Sequence, residues 1–269
     1  MEKIQDLIKS NGEQINEEEL LDMKIELANS IEGDMNKIDG IECEECKNRG
    51  YITIKKFYDI YNRNIEVVKN CKCMKKRILV RNAINSGLGE YFNKTFDDYK
   101  TKEQWQINCK QKAMNYVKSN NKEWFIMCGQ SGAGKTLLCS IIVNSMIEQN
   151  HIVQYITWTD FISKLKRDVM GDNTNLVSDY LDELKNVEIL FIDELLKKFN
   201  EADLKYIIEI INYRYINNLQ TIITSERNID ELLEIDEATF GRVIEKCNEN
   251  IIYIPKDRNK NYRLRKEDK

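Results

Sequence analysis

Four short apolar runs recur from residue 124 onward, and each has the length of a buried strand. The runs lie at residues 124–128, 152–157, 187–193 and 220–225. Helices are predicted around them, at residues 102–119, 137–146, 160–170 and 176–185. Because strands that alternate with helices form parallel sheets, this pattern predicts an α/β fold with a parallel sheet flanked by helices.

The first 31 residues predict a helix with one apolar stripe. The stripe consists of Ile15, Leu20, Leu21, Ile25, Ala28 and Ile31. The first forty residues carry eleven acidic and four basic side chains, and the acids lie mostly off the stripe. Two interpretations remain open: the stripe packs on the protein's own domain, or it docks a partner protein.

Two close cysteine pairs flank a predicted β-hairpin with strands at residues 51–54 and 65–68. The cysteines are Cys43, Cys46, Cys71 and Cys73. Four thiolates suit a tetrahedral Zn²⁺ site, and so small a unit would draw much of its folding free energy from the metal. Four unligated cysteines are the alternative. Basic residues around the second pair, Arg77 among them, form either a phosphate-facing patch or a solvated helix start.

The composition favours a soluble, cytoplasmic protein without membrane contact. No apolar run approaches the length of about eighteen residues that a membrane helix needs, and the start Met-Glu-Lys-Ile lacks the pattern of a signal peptide. In the cytoplasm, cysteines outside the two pairs are better interpreted as packed thiols than as disulfides. These cysteines are Cys109, Cys128, Cys139 and Cys247. The single histidine, His151, begins a predicted strand, which argues against histidine-based catalysis.

Residues Gly129–Thr136 fit the phosphate-loop pattern Gly-x-x-x-x-Gly-Lys-[Ser/Thr] without a mismatch. The motif lies between a predicted strand and a predicted helix, so its N–H groups and the helix N-terminus would face the same phosphates. Lys135 is predicted to contact the β- and γ-phosphates of ATP, and the Thr136 hydroxyl to hold Mg²⁺. The other predicted nucleotide-binding residues of the loop are Gly129, Gln130, Ser131, Gly132, Ala133 and Gly134.

The apolar run at 187–193 ends in two acids, and Asp193 follows Lys135 by 58 residues. Asp193 is predicted to bind Mg²⁺ and Glu194 to polarise the attacking water, which favours hydrolysis over phosphate transfer. The run at 220–225 ends in Thr224 and Ser225. Either hydroxyl would sense the γ-phosphate, since nucleotides lie beyond the carboxyl ends of parallel strands; alternatively, both cap the next helix.

With these motifs in place, the chain resembles the DnaC/DnaI/IstB-like AAA+ group of bacterial helicase loaders, which are P-loop NTPases. The resemblance covers about residues 41–265. It rests on the phosphate loop, on Phe191–Glu194, on the Thr-Ile-Ile-Thr-Ser run that ends at Ser225, and on Phe240–Glu245. The Thr95–Tyr99 lead-in and a cysteine module like that of the DnaI branch add to it.

The resemblance implies roles for three residues. Thr224 matches the sensor 1 region, and Arg263 matches the sensor 2 region. Arg242, which is predicted to lie at a helix end, matches the arginine finger that is given to a neighbouring subunit. Members commonly have Asn after the sensor Thr-Ser pair, whereas Glu226 stands here, so the γ-phosphate sensor remains open. The resemblance also implies ATP-controlled binding of single-stranded DNA, delivery of a replicative ring helicase, and contact of the N-terminal module with that helicase.

The predicted domains are an acidic helical segment at 1–40, a four-cysteine zinc module at 41–80, a helical linker at 81–122 and an AAA+ domain at 123–269. Lys164, Lys166 and Arg167 are predicted to contact DNA phosphates. The predicted function is a slow helicase-loader ATPase that DNA or a partner stimulates and that forms ATP-dependent oligomers. The alternatives are a transposition-helper ATPase of the same fold and a nucleotide-gated adaptor with negligible turnover.

Overall fold

The computed structural model describes residues 16–59, 62–119, 121–171 and 174–264. These residues form two compact units, divided between Ile78 and Leu79. Residues 1–15 of the predicted N-terminal helix and residues 265–269 of the predicted AAA+ domain lie outside the described residues. None of the described helices is long and apolar enough to cross a membrane.

The first unit contains a helix packed on a two-stranded antiparallel hairpin. Its elements are α1 (Glu17–Ser30), α2 (Asn36–Asp39), β1 (Tyr51–Tyr58), β2 (Arg63–Asn70) and the start of α3 (Cys73–Ala83). Tyr51 lies opposite Asn70 in the hairpin. The predicted hairpin is therefore present, and it brings the chain before β1 and the chain after β2, which carry the two cysteine pairs, to the same end.

The acidic helix α1 lies along the free edge of β1. The Asn29 side chain bonds both outward backbone groups of Thr53: Nδ2 donates to Thr53 O at 2.8 Å, and Oδ1 accepts from Thr53 N at 2.9 Å. Lys55 adds an ion pair with Asp22 at 2.5 Å. Because an uncovered strand edge invites pairing with another chain, these contacts protect the hairpin.

The second unit is a five-stranded parallel sheet with helices around it. Its elements are α4 (Gln104–Ser119), β3 (Phe125–Gly129), α5 (Lys135–Glu148), β4 (Val153–Thr157), α6 (Trp158–Met170), α7 (Thr174–Asn186), β5 (Ile189–Asp193), α8 (Glu201–Ile216), β6 (Gln220–Ser225), α9 (Ile229–Ile235), α10 (Glu237–Cys247) and β7 (Ile251–Ile254). The strand order is β4-β5-β6-β3-β7, and all neighbours are parallel. The predicted fold class is confirmed, and the sheet sets the carboxyl ends of β3, β5 and β6 side by side.

The sequence patterns do not predict two of these elements, α8 and β7. The helix α8 buries Ile207, Ile210, Ile211 and Arg214 at helical spacing, so its signal is present in the sequence. The strand β7 has only four residues, which are too few to show a period. It nevertheless borders the phosphate loop, because it pairs with β3 up to Gly129.

Candidate nucleotide-binding and metal sites

The phosphate loop joins β3 to α5 at the carboxyl edge of the sheet. Gly129 has a φ of 129°, which side chains rarely permit. A Cβ atom there would lie 2.1 Å from Ile254 O, so only glycine allows β7 to approach this closely. Because α5 begins at Lys135, inside the motif, the unpaired N–H groups of its first turn belong to the loop.

Lys135 is held inside this loop. Its Nζ donates to Gly129 O at 2.7 Å and to Gln130 O at 2.8 Å, and the residue is 8% exposed. Burial lowers the pKa of Lys135, whereas the nearby carboxylates of Glu226 and Asp193 raise it. A buried ammonium group among neutral carbonyls and loop N–H groups fits a phosphate ligand.

Asp193, at the end of β5, is 4% exposed and accepts hydrogen bonds from hydroxyl groups. Thr136 Oγ1 lies 3.1 Å from both of its carboxylate oxygens. Thr224 Oγ1 donates to Oδ1, and Tyr155 Oη donates to Oδ2 at 3.1 Å. Burial raises the pKa of Asp193, and the three hydroxyls lower it. Thr136 and Asp193, the two predicted Mg²⁺ ligands, thus come together as oxygen donors that fit this ion.

Glu194 follows at a backbone φ of 56°. Its N–H donates to Thr224 Oγ1 at 2.9 Å, and its carboxylate is paired with Lys197 at 2.7 Å. Lys197 also lies 3.5 Å from Glu226, the residue that replaces the expected Asn. Thr224 therefore faces the acids, whereas Ser225 donates to a backbone carbonyl at 2.9 Å. The two hydroxyls that the sequence left as alternatives for the γ-phosphate sensor thus have different hydrogen-bond partners, and the sensor role stays a prediction.

A cavity of 370 Å³ opens beside the loop. Among the predicted site residues that line it are Lys135, Thr136, Glu194, Thr224 and Arg263. Tyr99 lines it too; this residue is 3% exposed, and its hydroxyl has no hydrogen-bond partner among the described residues. Since buried hydroxyls are nearly always paired, this one fits a polar ligand in the cavity. The sequence pointed to the Thr95–Tyr99 lead-in without assigning it any chemistry.

The last described segment lies on the phosphate loop. Tyr262 N donates to Gly132 O at 2.9 Å, and Arg263 Nη1 donates to Ser131 Oγ at 3.3 Å. The guanidinium of Arg263 is thus held next to the loop that carries Lys135. Its predicted sensor 2 role stays a prediction, and this contact is compatible with it.

Arg242 lies elsewhere in the second unit. It is in the middle of α10, so the expectation that it lies at a helix end is wrong. The reason is that α10 continues to Cys247 on an apolar face that buries Phe240 and Val243. Arg242 Nη1 donates to Asn212 Oδ1 at 2.6 Å, and the residue is not among the described residues that line the loop cavity.

A second cavity, of 600 Å³, lies between α6, α7 and the edge strand β4. Lys164 and Arg167 line it, and Lys164 Nζ lies 3.6 Å from the centre of the Tyr180 ring. Lys166 instead pairs with Asp203 at 2.8 Å. Of the three predicted DNA-contacting residues, the structure therefore brings two to one cleft.

The four cysteines of the first unit converge. Cys43 Sγ lies 3.7 Å from Cys71 Sγ, Cys46 Sγ lies 3.6 Å from Cys73 Sγ, and all four sulfurs lie within 4.8 Å of one another. Sulfurs at about 2.3 Å from a tetrahedral Zn²⁺ are about 3.8 Å apart, so this cluster fits zinc.

Two groups support the sulfurs from outside the cluster. Gly50 N donates to Cys46 Sγ at 3.3 Å, and Arg77 Nε donates to Cys73 Sγ at 3.4 Å. Burial opposes ionisation of Cys46, but the Gly50 bond and the neighbouring thiols lower its pKa to about 7. Arg77 is itself buried and pairs with Asp39 at 2.5 Å, so it does not belong to a surface patch.

The remaining four cysteines lie buried in the second unit, and burial raises the pKa of each thiol. This agrees with their interpretation as packed thiols.

His151 Nδ1 lies 2.6 Å from Glu188 Oε1, just before β4.

Residues 70–267 match the family of IstB-like ATP binding proteins. The uncharacterized protein YqaM of Bacillus subtilis strain 168 is 31% identical over 213 residues, which make up 73% of this chain and 66% of YqaM. The replicative helicase loader DnaC of Buchnera aphidicola subsp. Acyrthosiphon pisum is 31% identical over 133 residues, 48% of this chain and 52% of DnaC. This chain therefore spans just under two thirds of the first relative and about half of the second.

The crystal structure of the DnaC helicase loader is similar in fold, with a TM-score of 0.55 at 22% identity over 62% of this chain and 99% of that chain. The family match includes the phosphate loop, both acids at the end of β5, Thr224 and Arg242. The chain therefore belongs to the family of IstB-like ATP binding proteins, in agreement with the DnaC/DnaI/IstB-like resemblance that its motifs predict.

Proposed function

We propose that this protein is a helicase-loader ATPase of DNA replication, which binds Mg-ATP and single-stranded DNA and delivers a replicative ring helicase. The proposal depends above all on the cluster that Lys135, Thr136, Asp193 and Thr224 form beside the phosphate loop. A relative and a protein of similar fold are named helicase loaders, which supports the role in replication. A loader acts on the DNA being copied, so the proposal places the protein in the cytoplasm.

Each residue of the cluster has a task in ATP hydrolysis. The loop N–H groups and Lys135 bind and orient the triphosphate. Thr136 and Asp193 hold Mg²⁺, which neutralises phosphate charge when it is bound. Glu194 polarises the attacking water. The Thr224 hydroxyl donates to Asp193 and accepts from the Glu194 N–H, so it fixes the position of one acid relative to the other.

Hydrolysis also needs a positive charge that stabilises the negative charge developing on the phosphates in the transition state. Because Arg242 is not among the described residues that line its own loop cavity, we assign it to the site of a neighbouring subunit. ATP then holds the subunits together in an oligomer, and hydrolysis releases them. Single-stranded DNA contacts Lys164 and Arg167 in the 600 Å³ cleft through its phosphates.

In this proposal, the first unit contacts the helicase. Its four cysteines hold Zn²⁺, which fixes the chain on both sides of the hairpin and thereby the surface that the hairpin and α1 present. The sulfur distances support the metal, and the negative charge of α1 supports a basic docking site on the partner.

Phosphate release by the full-length protein, alone and with single-stranded DNA and a ring helicase from the same host, tests the proposal. We expect stimulated turnover and transfer of the helicase onto circular single-stranded DNA. Glu194→Gln is expected to bind ATP and lose hydrolysis, whereas Glu201→Gln, an exposed acid at the start of α8, keeps it. ATP binding without turnover under any condition would indicate the adaptor, and stimulation by a transposase alone would indicate the transposition helper.

A further inference from the structure

Tyr155 is a third hydroxyl donor to Asp193, and no sequence motif predicts it. In the β4–β5 pairing, Thr157 lies opposite Asp193 and Tyr155 lies opposite Phe191. Alternate residues of a strand share a face, so Tyr155, Thr157 and Asp193 project from the same side of the sheet. The phenol is long enough to carry its hydroxyl past the one intervening position to Asp193 Oδ2, at 3.1 Å.

The packing around Tyr155 holds this ring in one position. The residue is 5% exposed, and its ring meets the Phe191 ring edge-on with centroids 5.1 Å apart. The backbone at Gly87 also lies near the ring, since an added Cβ atom there would be 3.4 Å from it. The hydroxyl has a second partner, Thr157 Oγ1, at 3.1 Å. Because an ionised carboxylate only accepts, the phenolic proton goes to Asp193, and Thr157 donates to Tyr155.

We propose that Tyr155 is a positioning residue for Mg²⁺ at the ATP site, an inference that rests on the proposed function. Thr224 holds Oδ1 of Asp193 and Tyr155 holds Oδ2, so the carboxylate plane is fixed from both ends. The side of the carboxylate that faces Thr136 then remains oriented for the metal. Partners that orient a metal ligand in this way typically contribute at least about tenfold to metal affinity.

Tyr155→Phe removes the hydroxyl and keeps the ring. Tyr116→Phe is the matched control, because Tyr116 is also buried in the second unit and its hydroxyl donates to Glu123 O at 2.9 Å, away from Asp193. A fluorescent ATP analogue is titrated with Mg²⁺ against each full-length protein, and Mn²⁺ binding is followed by electron paramagnetic resonance. We expect the half-saturating metal concentration of Tyr155→Phe to rise about tenfold, with analogue binding in EDTA unchanged. The control should behave like the wild type.

Thr157→Val provides a second variant that leaves the Tyr155 ring and hydroxyl in place. It removes the Thr157 hydroxyl that donates to Tyr155, so we expect a smaller shift in the same direction. Equal metal midpoints in the wild type, Tyr155→Phe and Thr157→Val would overturn the role of Tyr155 and leave the proposed function intact. If the wild type bound no nucleotide at all, the proposed function would fail, and this inference with it.

Discussion

Lys197 Nζ lies 2.7 Å from Glu194 Oε1, so the residue predicted to activate water is held in an ion pair. The bond with Glu194 raises the pKa of Lys197. The ammonium group occupies Glu194 Oε1, an oxygen that would otherwise accept a hydrogen bond from the attacking water. The Lys197–Glu194 pair is therefore expected to restrain basal hydrolysis.

Lys197→Met should raise turnover in the absence of DNA and partners. We expect an increase of about threefold to tenfold, because Glu194 Oε1 is then free to bind the attacking water. Steady-state phosphate release measures it, and Lys198→Met, a change at the next exposed lysine, is the control. A fall in turnover would show instead that Lys197 orients Glu194 for the reaction.

Replacing Lys164 and Arg167 together by Ala should weaken binding of single-stranded DNA and make it less sensitive to salt. Each lost phosphate contact is expected to reduce the slope of log affinity against log salt concentration by about one. Fluorescence anisotropy of a labelled oligonucleotide measures both quantities. Lys166→Ala is the internal control, because Asp203 already pairs with Lys166. If replacing any of the three residues by Ala lowered DNA affinity equally, DNA would not enter the 600 Å³ cleft.

Metal analysis of the purified protein should find about one Zn per chain. Cys46→Ser is expected to lose the metal and the fold of the first unit, whereas Cys109→Ser, at a buried thiol outside the cluster, should retain both. Chelation followed by circular dichroism checks the dependence on metal. A zinc-free preparation with an intact hairpin would contradict the metal assignment.

Arg214→Met should destabilise the second unit. Arg214 is fully buried, and its guanidinium donates to backbone carbonyls around β5 and β6, among them Leu184 O and Val187 O at 2.8 Å. Burial lowers its pKa to about 9, so the group is still charged at neutral pH. Its loss leaves several buried carbonyls without a donor, which is expected to cost about 3 kcal/mol. Urea unfolding measures this loss, and a change below about 0.5 kcal/mol would show that water replaces the guanidinium.

Arg242→Ala should lower turnover and leave nucleotide binding by the monomer unchanged. Mixing this variant with Lys135→Ala provides the decisive comparison, since one chain then contributes an intact loop and the other an intact Arg242. Recovery of activity on mixing is expected if the arginine acts across subunits. Loss of nucleotide binding by monomeric Arg242→Ala would mean that it acts within its own chain.

The sequence predicts the ATP site through local motifs. The glycines, Lys135 and Thr136 are contiguous, and the physics of a phosphate loop depends on backbone geometry that those residues themselves permit. Asp193 and Glu194 were recognisable because they end a continuous apolar run. The four cysteines were recognisable because their spacing matches a hairpin. The structure brings each set together, and the catalytic and metal-binding roles stay predictions.

The sequence by itself determined the α/β class, the family and the motif residues, because composition, periodicity and short spacings encode them locally. Only the tertiary structure decided that Tyr155 and Thr224 bond Asp193, that Lys197 pairs with Glu194, and that Lys164 and Lys166 have different surroundings. The physical reason is that strand register and helix packing join residues far apart in the chain. A hydroxyl or an ammonium group acquires its role only when folding places it beside a particular carboxylate.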